Sequence, residues 1–541
     1  MDKNAKEVFR YHEESKHHFH RFARSAGYMD WKNQPSPFRY YEGKEPVSLP
    51  LLKTDPAGNY MDLYQRERNS VRPFTRENIG GFLELSLGLS AWKSAGDSRW
   101  VLRINPSSGN LHPEEAHLVL PELENLTSGL YHYNSFLHAL EHRAAVPKEL
   151  WEKIKNHFQT DVFLIGLSSI FWRESWKYGE RAFRYCNLDT GHALAALSFS
   201  ANLMGWKLTC LNSLSHADME TVLGFDRTQW KDTEAEEAEI LCAVHASEME
   251  IPRNLPENIL ADFSALSVEG IPNSLSSRSV RWDIIYDTAE CTRKPRNPEI
   301  RNNAGNRPFR NAIVSDLPAA KIIRNRRSAS AFSPEVQMDR EIFFAILDKT
   351  IPRKHSPPFD AKEETPRVHL LLFVHSVEGL EQGMYFFLRG EMDLAEIRSK
   401  TADDLLWEPV TADFPLYLLR KGDFTETAVS LSCDQAIAGD SAFSLGMLAQ
   451  FRSVVEKEPF RYRALLRECG MIGQVLYLEA EAQGFRGTGI GCFFDDPVHE
   501  LIGIKAGFFQ SLYHFTVGKV VEDKRVSTLP PYEHIKPGTG L

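Results

Sequence analysis

The chain has 541 residues, of which 42% are hydrophobic and 25% charged, the composition of a folded globular protein. This length predicts two or three domains and excludes small scaffolds that need disulfides or metals to fold. The net charge of −10, from 63 basic and 73 acidic residues, excludes an overall attraction to nucleic acid or anionic membranes. Seven cysteines are scattered without a Cys-x-x-Cys pair, which predicts a reducing compartment.

The first thirty residues are polar and predict neither a signal peptide nor a membrane span. We therefore expect a cytoplasmic protein without membrane or nucleic-acid partners. Four histidines cluster here, but they lack the helical spacing with a carboxylate that zinc enzymes use. We interpret them as solvated and predict no metal site; they are His12, His17, His18 and His20.

A polar loop lies between two apolar segments near residue 107. Its hydroxyls, amide and free backbone N–H groups suit a phosphate or the polar edge of a flat heterocycle. A plain surface turn explains the same residues equally well when the loop is considered alone. The candidate binding residues of this loop are Pro106, Ser107, Ser108 and Asn110.

Lys177 and Tyr178 form a candidate proton-transfer pair just upstream of a long apolar segment. A lysine with a lowered pKa beside a tyrosine could move a proton. Most Lys-Tyr pairs are surface residues, so spacing alone favours a structural role.

The chain is a diverged tandem repeat. Residues 184–206 align with residues 463–485 at a constant offset of 279, which places Gly191 on Gly470. Apolar residues recur at helical spacing in both copies, so each predicts a long helix with an apolar stripe.

The two halves also share predicted strands, because residues 117–120 and 369–372 are apolar runs of strand length in equivalent places. Each half is therefore predicted to be α+β. A segment rich in Asn, Ser, Pro and Arg separates them and has the composition of a linker. The predicted division is an N-terminal extension at 1–60, a first domain at 61–265, a linker at 266–320 and a second domain at 321–541.

A duplicated chain of this kind predicts an intrachain pseudo-dimer, because each copy keeps the surface by which it once bound its twin. Further association into a homo-oligomer stays open.

Residues 324–328 supply three guanidiniums and a hydroxyl, a combination that suits a phosphate. We expect a helix to begin just after them, with residues 333–335 as its cap and first turn. A solvated basic stretch is the alternative.

Residues 487–491 read Gly-Thr-Gly-Ile-Gly and follow the second long helix. A dinucleotide-binding fingerprint must follow a strand and open a helix, so we exclude a Rossmann site. We expect a glycine-rich turn that either lets a ligand approach the backbone or is purely structural.

In their joint order these segments resemble the nitroreductase superfamily of flavoenzymes, and within it the SagB-type dehydrogenases, which include oxidases that turn azolines into azoles in modified peptides. The resemblance covers most of both halves and rests mainly on residues 103–113, 129–140 and 177–192. It implies an α+β fold in which two nitroreductase-like domains form a pseudo-dimer around FMN.

The resemblance also implies roles for individual residues. In the family, an Arg-Arg-Ser segment binds the flavin phosphate, the glycine-rich turn approaches the ring, and the Pro-Ser-Ser loop arrives from the partner domain. The implied FMN-binding residues are Arg326, Arg327, Ser328, Gly489, Ile490, Gly491, Pro106, Ser107, Ser108 and Asn110, with a further phosphate contact at Arg525.

The reciprocal set of segments is degraded in this chain. Residues 208–212 read Leu-Thr-Cys-Leu-Asn, and residues 358–361 read Pro-Phe-Asp-Ala. We therefore expect one FMN per chain, bound between the halves, and loss of the second pseudo-symmetric site.

The implied activity is an FMN-dependent oxidoreductase that transfers hydride between a substrate and flavin N5. Tyr178, its pKa lowered by Lys177, would take the adjacent proton, and dioxygen or another acceptor would reoxidise the flavin. The substrate would be a small molecule or a modified peptide. One alternative is an NAD(P)H-dependent nitroreductase or quinone reductase; the other is a flavin- or peptide-binding module without turnover.

Overall fold

The computed structural model describes residues 2–66, 69–247, 249–297, 307–310, 315–362, 364–505 and 507–535. The helices in this part of the chain are α1 Lys3–Glu14, α2 Arg76–Glu84, α3 Lys148–Phe158, α4 Phe171–Tyr178, α5 Ala182–Leu203, α6 His216–Leu223, α7 Glu257–Ser264, α8 Asp283–Cys291, α9 Ala319–Asn325, α10 Arg340–Lys349, α11 Leu394–Ser399, α12 Thr425–Leu431, α13 Arg452–Lys457, α14 Arg461–Ala482 and α15 Asp495–Leu501.

The strands are β1 Tyr41–Glu42, β2 Val47–Ser48, β3 Leu89–Ala95, β4 Ser98–Arg103, β5 Glu114–Leu120, β6 Gly129–Asn134, β7 Ala139–Ala145, β8 Val162–Ser169, β9 Lys207–Cys210, β10 Glu237–His245, β11 Ile271–Pro272, β12 Val368–Val374, β13 Gly383–Phe387, β14 Glu408–Thr411, β15 Phe414–Lys421, β16 Phe443–Gln450, β17 Arg486–Ile490, β18 Phe509–Gly518 and β19 Ser527–Leu529.

Two antiparallel sheets of seven strands share the topology of six strands and differ in the edge strand, because β2 precedes the rest of its sheet in the chain whereas β14 lies between β13 and β15. The first has the order β2-β7-β6-β5-β8-β10-β9, and the second has the order β14-β15-β13-β12-β16-β18-β17. Each strand of one sheet has a counterpart at the same place in the other, with β5 matching β12 and β9 matching β17. The predicted fold class, two tandem α+β domains forming an intrachain pseudo-dimer, is therefore confirmed, whereas the residue boundaries of the domains remain predictions.

The two long helices, α5 and α14, cross at the pseudo-symmetry axis. They correspond to the two helices predicted from the repeat, with ends that differ by two or three residues. The crossing brings Gly191 against Gly470, and a side-chain carbon on either glycine would overlap a backbone carbonyl of the facing helix. The residues that the sequence aligns across the repeat are thus in contact.

The end of each long helix is also repeated. Gly205 and Gly484, which align at the same offset, follow α5 and α14 with φ of 72° and 74°. A glycine adopts this left-handed conformation without steric cost, which ends the helix.

The N-terminal extension packs into the core of the second half rather than lying in solvent. On α1, Val8, Tyr11 and His12 share one buried face because residues three and four apart are neighbours on a helix. His12 bonds to Tyr462 and Gln510, so the prediction that the histidines are solvated is wrong for His12 and for His17, which is also buried.

Helix α8 lies within the predicted linker and packs against α1. Residues 298–306 and 311–314 of that linker lie outside the described residues. At the other end of the chain, β19 pairs with β3 of the first half. In the described part of the chain, no helix is both long and apolar enough to cross a membrane.

Candidate functional site

A cleft of about 610 Å³ lies between the two halves. Its wall combines the predicted polar loop and residues of α4 and α5 from the first half with residues of α14, β17 and β18 from the second. Most of the predicted site residues therefore meet here. Those that line the cleft are Pro106, Ser107, Ser108, Asn110, Tyr178, Arg326, Arg327, Ser328, Gly489, Ile490 and Gly491.

The polar loop is fastened to α5 by a buried carboxylate. The backbone N–H and the hydroxyl of Ser108 both donate to Asp189, at 2.8 and 2.9 Å. Gly109 and Asn110 each have a φ of 60°, which makes the turn tight. Burial raises the pKa of Asp189 to about 7. The motif at residues 177–192 includes Asp189, but the sequence indicates no role for it. The available signal is an acid in a helix that is predicted to pack in the core.

Tyr178 lies directly against this loop. A methyl group on Gly109 would collide with the Tyr178 hydroxyl, so only glycine fits at this position. The Lys177 ammonium lies 5.0 Å from the centre of the Tyr178 ring. Lys177 itself is not among the residues that line the cleft.

The prediction that Lys177 lowers the pKa of Tyr178 is wrong. Burial, followed by the neighbouring Glu174, Tyr185 and Asp189, raises this pKa well above its usual value. The physical reason is that the tyrosine is enclosed among acidic groups, which oppose formation of a phenolate.

Arg326 is almost fully buried in the wall of the cleft. Its Nη2 donates to the Arg103 carbonyl at 3.0 Å, and its guanidinium carbon lies 5.2 Å from the centre of the Tyr477 ring. Its Nε has no hydrogen-bond partner within the described residues. A buried unpaired donor of this kind is costly unless a ligand satisfies it.

Arg327 and Ser328 line the cleft together with Arg326, as predicted, whereas Arg324 does not. Ser328 Oγ lies 2.8 Å from Tyr477 Oη, and burial lowers the pKa of Arg327 to about 10. Arg324 instead pairs with Asp55 and Glu84 and does not line the cleft.

The expected helix start at residues 333–335 is wrong. The next helix, α10, begins at Arg340 after an extended segment in which Phe332 forms a bridge with Val520. This backbone pairing across the sheet overrides the local capping pattern.

The expected glycine-rich turn at residues 487–491 is also wrong, because most of it forms the edge strand β17, which pairs with β18. The Gly489 N–H donates to Tyr477 Oη at 2.9 Å. Side chains at Gly489 or Gly491 would overlap Tyr513 or Tyr185. Glycine in an edge strand permits such close approach to the backbone.

Arg525 lies at the margin of the cleft, beside Asp523 and Val526, which line it. Its side chain is 87% exposed, bonds to Asp523 and does not line the cleft. The phosphate contact expected there remains a prediction without geometric support.

The residues of this cleft fit FMN. Its volume lies in the range typical of small-molecule sites, roughly 300–1,000 Å³. The buried guanidinium of Arg326, the half-buried guanidinium of Arg327 and the hydroxyl of Ser328 suit a phosphate. Besides Arg326 Nε, the buried Arg103 Nε and Asn105 Oδ1 lack partners within the described part of the chain.

The pseudo-symmetric position is nearly filled. The corresponding space beside β9 measures about 70 Å³. Arg463 pairs there with Glu237 and Glu239, and Arg467 also pairs with Glu239. These ionic side chains occupy the space that the other half leaves open.

No protein-family model and no curated protein matches this sequence. Among solved structures, a protein described as a nitroreductase from Anabaena variabilis superposes on 95% of this chain and 99% of its own, with 22% identity and a TM-score of 0.69. This whole-length match shows that the chain has the nitroreductase fold in tandem form.

Two shorter matches accompany it. An Exiguobacterium sibiricum nitroreductase in complex with FMN aligns with 38% of this chain and 90% of its own, at 13% identity and a TM-score of 0.23. The E. coli microcin synthetase McbBCD complex aligns with 37% of this chain and 70% of its own, at 18% identity and a TM-score of 0.26. With scores this low, the fold assignment depends on the first structure alone.

Proposed function

We propose that this chain is an FMN-dependent oxidoreductase of the SagB type that oxidises a small molecule or a modified peptide, with conversion of an azoline to an azole as the favoured reaction. The observation that carries the proposal is the composition of one cleft. Both halves contribute to it: the first supplies the Ser-rich loop and Tyr178, and the second supplies Arg326, Ser328 and the glycines of β17.

Each group has a defined task in this proposal. Arg326, Arg327 and Ser328 hold the phosphate through charge-assisted hydrogen bonds. Gly489 and Gly491 let Tyr513 and Tyr185 pack closely against the backbone, in the wall of the cleft that the ring would contact. When bound, FMN supplies a hydride acceptor at N5.

Proton movement depends on Tyr178 and Asp189. The raised pKa of Tyr178 keeps its hydroxyl protonated near neutral pH, so the hydroxyl donates a hydrogen bond to the substrate. For Tyr178 to remove a proton, it must first lose its own. Asp189, with a pKa of about 7, lines the same cleft and changes its charge near neutral pH, and its negative charge is one of the effects that raise the pKa of Tyr178.

The first experiment is to quantify FMN released by heat from the purified protein, before and after reconstitution. We expect one FMN per chain. Arg326→Ala should weaken FMN binding by about 10-fold or more, because a charged hydrogen bond contributes roughly 1.5–3 kcal/mol. Arg324→Ala is the matched control, since Arg324 belongs to the same segment but lies outside the cleft, and it should leave FMN binding unchanged.

Three outcomes would contradict the proposal: no FMN after reconstitution, two FMN per chain, or equal losses in the two arginine variants. Rapid bleaching of the flavin by NADPH, with none by a synthetic thiazoline peptide, would instead favour a nitroreductase or quinone reductase.

A further inference from the structure

Two cysteines from distant parts of the chain meet at the wall of the cleft. Cys492 follows β17 and lines the cleft, whereas Cys433 lies in the turn after α12. Their sulfur atoms are 2.6 Å apart. The Gln435 amide donates to the carbonyls of Ser432 and Cys492, at 2.7 and 3.2 Å, and so ties the two segments together.

The other cysteines do not offer such a site. Cys210 and Cys242 are also close, at 3.4 Å, but both are buried in the first sheet. Cys291 is partly exposed, like Cys433 and Cys492, but no other sulfur lies beside it among the described residues. The cleft-side pair is thus both paired and accessible.

Cys492 also has a neighbour suited to stabilise a thiolate. The Ala23 backbone N–H donates to His17 Nδ1 at 3.0 Å. Burial lowers the pKa of His17, so the ring is neutral and carries its hydrogen on Nε2. His17 is close enough to Cys492 to favour its thiolate electrostatically.

The charges around the pair distinguish the two sulfurs. The contact between the two sulfurs, assisted by His17 and Arg181, lowers the pKa of Cys492 against the opposing effect of burial. The same contact raises the pKa of Cys433. The titratable and charged groups that face the pair are His17, Tyr178, Arg181, Tyr185 and Asp495.

We propose that Cys433 and Cys492 form a redox-active dithiol that reacts with low-molecular-weight disulfides, with Cys492 as the attacking sulfur. The Cys492 thiolate attacks one sulfur of the small disulfide, whose S–S bond breaks to release a thiolate that takes up a proton. Cys433 then loses its proton to solvent and attacks the Cys492 sulfur, which releases the second small thiol. Two protein thiols are oxidised and one disulfide is reduced to two thiols.

This reaction does not require a bound flavin, but it takes place in the wall of the cleft proposed to bind FMN. Closing the bond would join the turn after α12 covalently to the end of β17. The oxidation state of the pair would therefore constrain one wall of the cleft.

The test uses oxidised glutathione as the probe. The purified full chain is reduced, freed of reductant, incubated with the probe, quenched with N-ethylmaleimide and mapped by peptide mass spectrometry. Wild type and the Cys291→Ser control should form a Cys433–Cys492 disulfide. Cys433→Ser should stop with glutathione on Cys492, and Cys492→Ser should leave Cys433 unmodified over the same time.

A second measurement does not require the disulfide to form. The rate at which iodoacetamide alkylates Cys492 should reach half its maximum at lower pH than that of Cys291, and this midpoint should move upward in Cys433→Ser. The proposal is overturned if Cys433 and Cys492 each bind glutathione without joining. It is equally overturned if Cys492 titrates like Cys291 in wild type.

Discussion

Tyr178 shows how its surroundings set the chemistry of a residue. The Lys-Tyr pair suggests a hydroxyl that ionises easily, yet burial, together with the nearby Glu174 and Asp189, raises its pKa. The residue in this cleft that titrates near neutral pH is Asp189, which the local sequence does not single out. The motif therefore predicts where the Tyr178 hydroxyl lies, whereas the groups packed around it determine whether it is protonated.

Tyr178→Phe removes this hydroxyl and retains the ring. We expect flavin reduction by a synthetic thiazoline peptide to slow by roughly 10²-fold or more, with FMN content unchanged, because proton transfer contributes factors of this size. Stopped-flow absorbance measures the rate. Tyr286→Phe is the control, since Tyr286 also packs beside α4 but lies outside the cleft. Loss of FMN from Tyr178→Phe would show that the residue is structural.

Gly109→Ala tests the contact between the loop and Tyr178. Gly96 is a matched control, because its φ of 56° resembles the 60° of Gly109 and a side chain there would meet open space. Both alanines carry backbone strain of about 1 kcal/mol. Only Gly109→Ala should also weaken FMN binding, measured by fluorescence titration. Equal FMN affinity in the two variants would argue against the loop as part of the site.

The edge strand β17 shows that pairing with a neighbouring strand can override the local preference of a glycine-rich motif. Its glycines suggest a turn, but hydrogen bonds to β18 along its whole length hold it extended. The corresponding strand β9 contains Leu208 and Cys210 at equivalent places, and both are buried. Strand β17 therefore lines a cleft, whereas the side chains of β9 are buried in the core.

Gly470→Ala tests the helix crossing. An alanine in an unobstructed helix interior usually stabilises relative to glycine by about 1 kcal/mol. Here the added carbon would overlap the Leu188 carbonyl of the facing helix. We therefore expect a loss of roughly 1–3 kcal/mol in the free energy of unfolding, from chemical denaturation. A gain in stability would show that the helices are not in contact at this residue.

At the scale of the whole molecule, the halves are joined by polar as well as apolar contacts. Glu479 on α14 accepts hydrogen bonds from Tyr60 and Tyr64 of the other half, at 2.5 and 2.6 Å. Burial raises the pKa of this carboxyl to about 7, with the nearby Lys349 opposing the shift. The interface therefore holds a group that changes its charge near neutral pH.

This raised pKa predicts a pH dependence. The folded chain binds the Glu479 proton more tightly than the unfolded chain, so its contribution to stability is complete at low pH and falls as pH rises toward about 7. Between about pH 5 and about pH 8, wild type should lose roughly 2 kcal/mol more than Glu479→Gln. Denaturant titrations at both pH values measure this difference. Parallel losses would mean that Glu479 is ionised throughout.

The sequence by itself determines the duplication, the α+β class of each half and the two long helices, because periodicity and aligned glycines are local properties. It also places most of the predicted site residues correctly in the cleft, since the resemblance that locates Arg326, Ser328 and the loop at 106–110 depends on motif order. These features can be predicted from the sequence because each depends only on the residues within one segment or on the spacing between segments.

Only the tertiary structure decides what these segments become together. The strand at residues 486–490, the burial of His12 and the pairing of Cys433 with Cys492 all depend on residues far away in the chain. The same is true of the two unequal spaces, about 610 and 70 Å³. Hydrogen bonding across a sheet, burial and charge are properties of neighbours in space, and a single segment of sequence does not specify those neighbours.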